Sequence, residues 1–314
     1  MIVRGGTNLW RAILIDWPAL LFFSLLSLSA EFIHHNNTIA HTVLPLLPLS
    51  VLITALSMFL AFQINQCYER WWEARRLWGQ LVNISRSFGR QVITLISARR
   101  LVAIPDENAA KRLQQKLVYR HIAYVNALRI CLRKNNKLSK DDWQELGSWL
   151  DESEIVHLRR NANIPTQLIL LQGKSVAALV GKWTEQPILL QFDDIFKQID
   201  DIQGGCERIK RTAFPDRFRF HTHNFVWLLA MLIPFCLMES GKHFDIIEII
   251  MDTFLSFVFV TIERLGSELR DPFENKANDT PMSALCRAIE IDLRQQLDEY
   301  VILTPLEPKN GILM

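Results

Sequence analysis

Thiols are scarce in this 314-residue sequence. Its five cysteines, Cys67, Cys131, Cys206, Cys236 and Cys286, are widely spaced, odd in number and never arranged as CxxC. That spacing argues against a disulfide framework or a cysteine-based zinc site, and the lack of CxxCH excludes a covalently attached haem. Free thiols in a reducing compartment are the expectation. No Walker loop, GxGxxG, GxSxG or HExxH occurs, so neither nucleotide chemistry nor the common hydrolase arrangements are signalled, and no enzyme activity or cofactor is expected. His221 and His223 form an HxH pair, but residues two apart do not share a helical face and no third ligand accompanies them, so no metal is expected. A net charge of only +2 removes the electrostatic case for a nucleic-acid partner. No alternating strand pattern, internal repeat or low-complexity tract stands out. The N-terminal stretch lacks a signal-peptide core because Asp16 interrupts it, so the first apolar segment is expected to stay in the mature protein.

What is present is hydrophobicity, at 49% of residues, alongside 22% charged residues. The two are segregated along the chain. Residues 42–68 form an uncharged run of 27 residues, opened by Pro45 and Pro48, where a helix tolerates proline best. A bilayer span needs about 20 predominantly apolar residues, so this run qualifies. Residues 17–33, 220–238 and 246–262 are shorter candidates, and the four read as two helical hairpins. The 34–41 loop carries no Lys or Arg, and the loop around 239–245 carries only Lys242. Positive charge collects on the cytoplasmic side, which assigns both termini and residues 69–219 to the cytosol. The expected fold is an all-α, multi-pass integral membrane protein of the cell inner membrane. It divides into an N-terminal segment and first hairpin (1–68), a cytosolic helical region (69–219), a second hairpin (220–262) and a cytosolic C-terminal turn and helix (263–314).

The middle region reads as helical. Leu117, His121, Val125, Leu128 and Leu132 recur at spacings of three and four. DDWQELGSWL (141–150) opens with acidic capping residues. NIPTQLILLQGKSVAALVGKW is apolar but broken by Lys174, so it is expected to be buried rather than spanning. LLQFDDIFKQIDDIQGGCERIKR is amphipathic, with a break expected at Gly204–Gly205.

Residues 68–79 read YERWWEARRLWG, followed by QLVNISRSFGR. Together with GGCERIKRTAFP (204–215), ELRDPFENKANDTPM (268–282) and LCRAIEIDLRQ (285–295), this ordered series resembles the bacterial bestrophins over nearly the whole chain. The resemblance implies a homopentameric ion channel: four membrane helices per subunit, the second lining a narrow neck, and a cytosolic vestibule with a second constriction. It implies the lipid bilayer, copies of the chain itself and small monovalent ions as partners. The family name suggests chloride, while the prokaryotic branch includes cation-permeable members, so the sign of the permeant charge stays open here. The competing readings are a non-conducting membrane scaffold and a membrane enzyme or electron carrier, the latter lacking any ligand constellation.

Several residues acquire expected roles. Thr54, Met58 and Phe62, at i, i+4 and i+8, share one helical face, and the family's three neck positions map onto them. Five copies would stack three rings, and an apolar constriction stops ions by dewetting. The family's cytosolic constriction maps onto Phe214, before Pro215. The signature residues Arg70, Trp71, Trp72, Glu73, Trp78 and Gly79 are expected at the cytosolic membrane edge, the aromatics as anchors and Glu73 paired with Arg70 or Arg76. Gln63 stands where relatives usually carry Arg, which removes one positive charge near the neck. Glu248 and Asp252 lie one turn apart and are expected either near the outer interface or as acidic rings of an outer vestibule. Animal bestrophins bind calcium with an acidic run that here reads ENKAND (274–279). A lysine sits inside it and most of the acids are missing, so no calcium activation is expected.

Overall fold

The computed structural model describes residues 9–35, 46–96, 107–183, 186–212, 216–236, 246–300, 303–309 and 311–313. They form ten helices: α1 (Leu9–His35), α2 (Leu46–Leu95), α3 (Glu107–Lys134), α4 (Lys140–Gly147), α5 (Glu152–Leu158), α6 (Ile164–Trp183), α7 (Gln186–Arg211), α8 (Asp216–Cys236), α9 (Ile246–Leu269) and α10 (Met282–Gln296). Among the described residues there is no strand, only an isolated bridge between Lys309 and Ile312. Two compact units emerge, with boundaries at Trp72, Ala213 and Asp271.

The larger unit contains Trp72–Thr212 and Asp271–Met314. Its centre is α3, whose stripe Leu117, His121, Val125, Leu128 and Leu132 is wholly buried, as the spacing predicts. The second half of α2 answers with Trp78, Leu81, Ser85, Phe88 and Val92, at steps of three and four, all buried. α7 adds Phe192, Ile199 and Cys206, and α10 adds Ile289 and Leu293. α6 buries Ile164, Leu168, Gln172 and Val176, so it is a core helix exposed along its other side, where Leu170 lies. α4 is capped by Ser139, two residues before the acidic pair Asp141–Asp142. Its hydroxyl accepts from the Asp142 amide at 3.4 Å, and Asp142 accepts in return from the Ser139 amide at 2.7 Å.

One expectation fails here. α7 runs unbroken through Gly204–Gly205. A Cβ at Gly205 would stand 2.9 Å from Leu77 Cδ1, so that glycine serves close helix approach rather than a turn.

Polar groups in this core are specific. Arg120 is 3% exposed and pairs with Glu154. It also donates to the Leu171 carbonyl (3.2 Å), Gln172 Oε1 (3.0 Å) and Ser175 Oγ (2.9 Å). His121 stacks on Phe88 at 4.7 Å between ring centroids. Ser85 Oγ donates to the Leu81 carbonyl at 2.6 Å, so it accepts from His121 Nε2–H at 2.9 Å. That assigns the tautomer from the network and leaves Nδ1 bare and without a partner. Burial lowers the His121 pKa to about 3. None of the five cysteines forms a disulfide, and all are buried. Burial pushes the thiols of Cys131, Cys206 and Cys286 up to about 12, which makes them inert packing groups.

The other unit contains Arg4–Trp71 and Ala213–Arg270. α1, the first part of α2, α8 and α9 pack around Phe23, Leu60, Val226, Leu229, Ile233 and Phe259. α1 is longer than the expected apolar stretch and takes in His34 and His35, which the sequence reading places in a loop. Asp16, which interrupts the apolar run, pairs with Arg264 of α9. His223 Nδ1 lies 3.3 Å from Glu263 Oε2, a helix-to-helix contact rather than a metal site. Gly266 lets Ile64 approach so closely that a Cβ would meet it at 2.9 Å. Among the described residues two helices are long and apolar enough to cross a membrane, over Asp16–Ile33 and from Leu47 along α2. α8 and α9 fall short of that measure because Arg219, His221, His223 and Asn224 lower the mean hydropathy of the first, and Glu248, Asp252, Glu263 and Arg264 punctuate the second.

Candidate functional site

α2 positions most of the candidate residues. Its 50 residues span about 75 Å at 1.5 Å per residue, more than twice a bilayer's apolar thickness of about 30 Å. Its first half is apolar and its second half amphipathic, and the two halves belong to different units. In the first half, hydroxyls are turned back onto the helix. Ser50 Oγ donates to the Leu47 carbonyl (2.8 Å), Thr54 Oγ1 to Ser50 (2.9 Å) and Ser57 Oγ to Ile53 (2.7 Å). Each donor is thus satisfied without water, and Thr54 keeps its methyl available for apolar contact.

Thr54, Met58 and Phe62 lie on an exposed face of this helix, with Met58 63% and Phe62 58% exposed. Val51 and Leu47 extend the same face toward the N-terminal end. The inward side holds Leu49, Leu60, Gln63 and Cys67. Gln63 is only 4% exposed, so it points away from the face that carries Thr54, Met58 and Phe62.

The signature residues separate into different roles. Trp72 is exposed, whereas Trp71 is half-buried against Tyr68 at 5.9 Å between centroids. Trp78 is not a membrane-edge anchor. It is fully buried in the core of the larger unit, because residues 78, 81, 85, 88 and 92 form the packed stripe of α2. Glu73 pairs across to Arg208 on α7 rather than with Arg70 or Arg76 on its own helix. An inter-helix partner fixes the packing of α2 on α7, which a local i, i+3 pair cannot do. Gly79 has only Arg75 Nη1, at 3.6 Å, near the place a Cβ would occupy.

Phe214, the expected second constriction, lies outside the described residues. Asp252 is 3% exposed and packed inside its unit, with Oδ1 lacking a partner, and Glu248 one turn away is half-buried. A buried carboxyl does not face an open vestibule, so the acidic-ring expectation fails for Asp252. The cause is rotational: Asp252, Ser256, Phe259 and Glu263 form the inward stripe of α9.

Two acids of the 274–279 turn are engaged within the same unit. Lys210 pairs with Glu274 at 2.5 Å, the Lys276 amide donates to Asp279 Oδ2 at 2.9 Å, and Asn275 takes a positive φ of 67°. Burial raises the Asp279 pKa. Among the described residues no group of three or more His, Cys, Asp or Glu is placed to hold a metal ion.

Comparison with known proteins is concordant. Residues 9–295 match the family described as bacterial/fungal bestrophin protein. The voltage-dependent anion channel-forming protein YneE of Salmonella typhi is 32% identical over 309 residues, covering 95% of each chain. The protein of that name from Escherichia coli strain K12 is 30% identical over 264 residues, covering 84% of this chain and 80% of that one. Among solved structures, a bacterial bestrophin homolog from Klebsiella pneumoniae superposes with a TM-score of 0.78 at 26% identity, covering 90% of this chain and 98% of that one.

Proposed function

This chain belongs to the bacterial and fungal bestrophin family, and on that premise we propose that it is one subunit of a homopentameric ion channel. The channel sits in the inner membrane and passes small monovalent ions passively, without catalysis or cofactor. The observation that carries this reading is the exposed face of α2. An unbroken helix presents Thr54, Met58 and Phe62 outward while burying its opposite side. Among the described residues no helix covers that face. Five copies arranged around an axis would bring it together as three stacked rings. The relatives' names, which speak of channel formation, support conduction.

Apolar rings narrow enough to exclude water impose a barrier without a plug, and Met58 supplies a flexible side chain that lets the ring dilate. Phe214 remains the proposed cytosolic constriction. The larger unit is assigned to the cytosol, where its inert thiols stay reduced.

The test is ion flux from purified protein reconstituted in liposomes or planar bilayers. Met58→Ala, which removes most of one ring, is expected to raise conductance several-fold relative to wild type. A stable assembly that passes no ions in either form would refute conduction and favour the scaffold reading.

A further inference from the structure

The neck residues continue into a longer stripe on the same helix. From Thr54 the steps to Met58, Phe62, Asn65 and Glu69 are four, four, three and four, which keeps all five on one face. All five are exposed. Glu69 is the first charged side chain met along this stripe beyond Phe62. Asn65 Nδ2 donates to Glu69 Oε1 at 3.0 Å. Helical side chains lean toward the N-terminus, and this hydrogen bond draws the carboxylate one turn back toward Phe62. The axial offset between the two Cα positions is about 10 Å, and the lean shortens it.

The competing groups are turned elsewhere or lie farther along the helix. Gln63, beside Phe62 in sequence, is buried, as is Asp252. Arg70 is half-buried on a different face. Arg76 continues the stripe, seven residues past Glu69 and about 10 Å farther from the neck.

Resting on the reading that α2 lines the pore, we infer that Glu69 sets the charge preference of the channel. Five copies would form a ring of carboxylates directly behind the neck, held in place by Asn65. Such a ring concentrates cations and repels anions at the point where ions enter or leave the apolar constriction. The channel is therefore expected to prefer monovalent cations, although relatives are named for anions.

The experiment is the reversal potential of the reconstituted full-length channel under a tenfold NaCl gradient. Wild type is expected on the sodium side of zero, Glu69→Gln closer to zero, and Glu69→Lys on the chloride side. Asn65→Ala, which releases the carboxylate without removing it, should give a smaller shift in the same direction as Glu69→Gln. Because the native cysteines are buried, Glu69→Cys supplies an exposed thiol on the assembled channel. A cationic and an anionic thiol reagent should then move its reversal potential in opposite directions, a readout that needs no charge-altered variant to fold. Conducting channels whose reversal potential ignores both the lysine variant and the two reagents would overturn the inference alone. Absence of current from wild type, Met58→Ala and Glu69→Cys alike would overturn the pore reading and the inference with it.

Discussion

Replacing His121 with phenylalanine should flatten the acid limb of the stability curve. In the folded chain Nδ1 faces no acceptor, so protonating it would bury a charged N–H without a partner. Burial accordingly lowers the folded pKa to about 3, against an ordinary value near 6.5. Below pH 6.5 the unfolded chain binds a proton that the folded chain refuses. The stability from neutral His121 is thus complete above about 6.5 and is lost as pH falls toward 3. The slope is on the order of 1 kcal/mol per pH unit, so wild type should lose roughly 2 kcal/mol more than the variant between pH 6 and pH 4. Phenylalanine preserves the stack on Phe88, and Ser85 keeps its bond to the Leu81 carbonyl. Asp279 and Asp200, whose pKa values burial raises, give slopes of the opposite sign. They are common to both proteins and cancel in the difference. The assay is denaturant unfolding in detergent, followed by tryptophan fluorescence at pH 4 to 7. Parallel stability curves for the two proteins would refute the assignment of His121 as a buried neutral base.

Two further predictions concern packing in the larger unit. Arg120→Met leaves Glu154 with the Asp151 amide and, as its one ion-pair partner, Lys116 at 3.7 Å, and should cost about 3–5 kcal/mol. Adding Glu154→Leu should recover part of that loss, since Gln172 and Ser175 retain bonds to the Leu117 and Leu171 carbonyls. A double-mutant cycle with zero coupling would remove the pair from the core's polar network. At Gly89 a Cβ would stand 2.1 Å from Gln296 Oε1 and 2.6 Å from Leu293 Cδ2. Leu293 is fully buried and has little room to retreat. Overpacking of about 1–3 kcal/mol should outweigh the helix-propensity gain of about 1 kcal/mol, making Gly89→Ala destabilising in thermal unfolding. Leu293→Ala in the same chain should relieve that clash, giving a double variant less destabilised than the two single losses predict.

The sequence by itself determined the helical content and the division between apolar and charged stretches, because both follow from periodicity and composition. The buried stripe of α3 and the shared face of Thr54, Met58 and Phe62 were legible for the same reason: a 3.6-residue period places residues on a face whatever the helix packs against. What the period cannot say is which face meets a neighbour. Tertiary packing turned Trp78 into core and took Asp252 inside. It matched Glu73 to Arg208, 135 residues away, where local spacing offered only Arg70 and Arg76. It also converted Gly205 from an expected helix break into a contact point for Leu77. A glycine lowers helix propensity by only about 1 kcal/mol, and a close-packed helix pair offsets that readily. Glu69 joins both kinds of evidence: its register was in the sequence from the start, while its exposure and its bond to Asn65 belong to the fold.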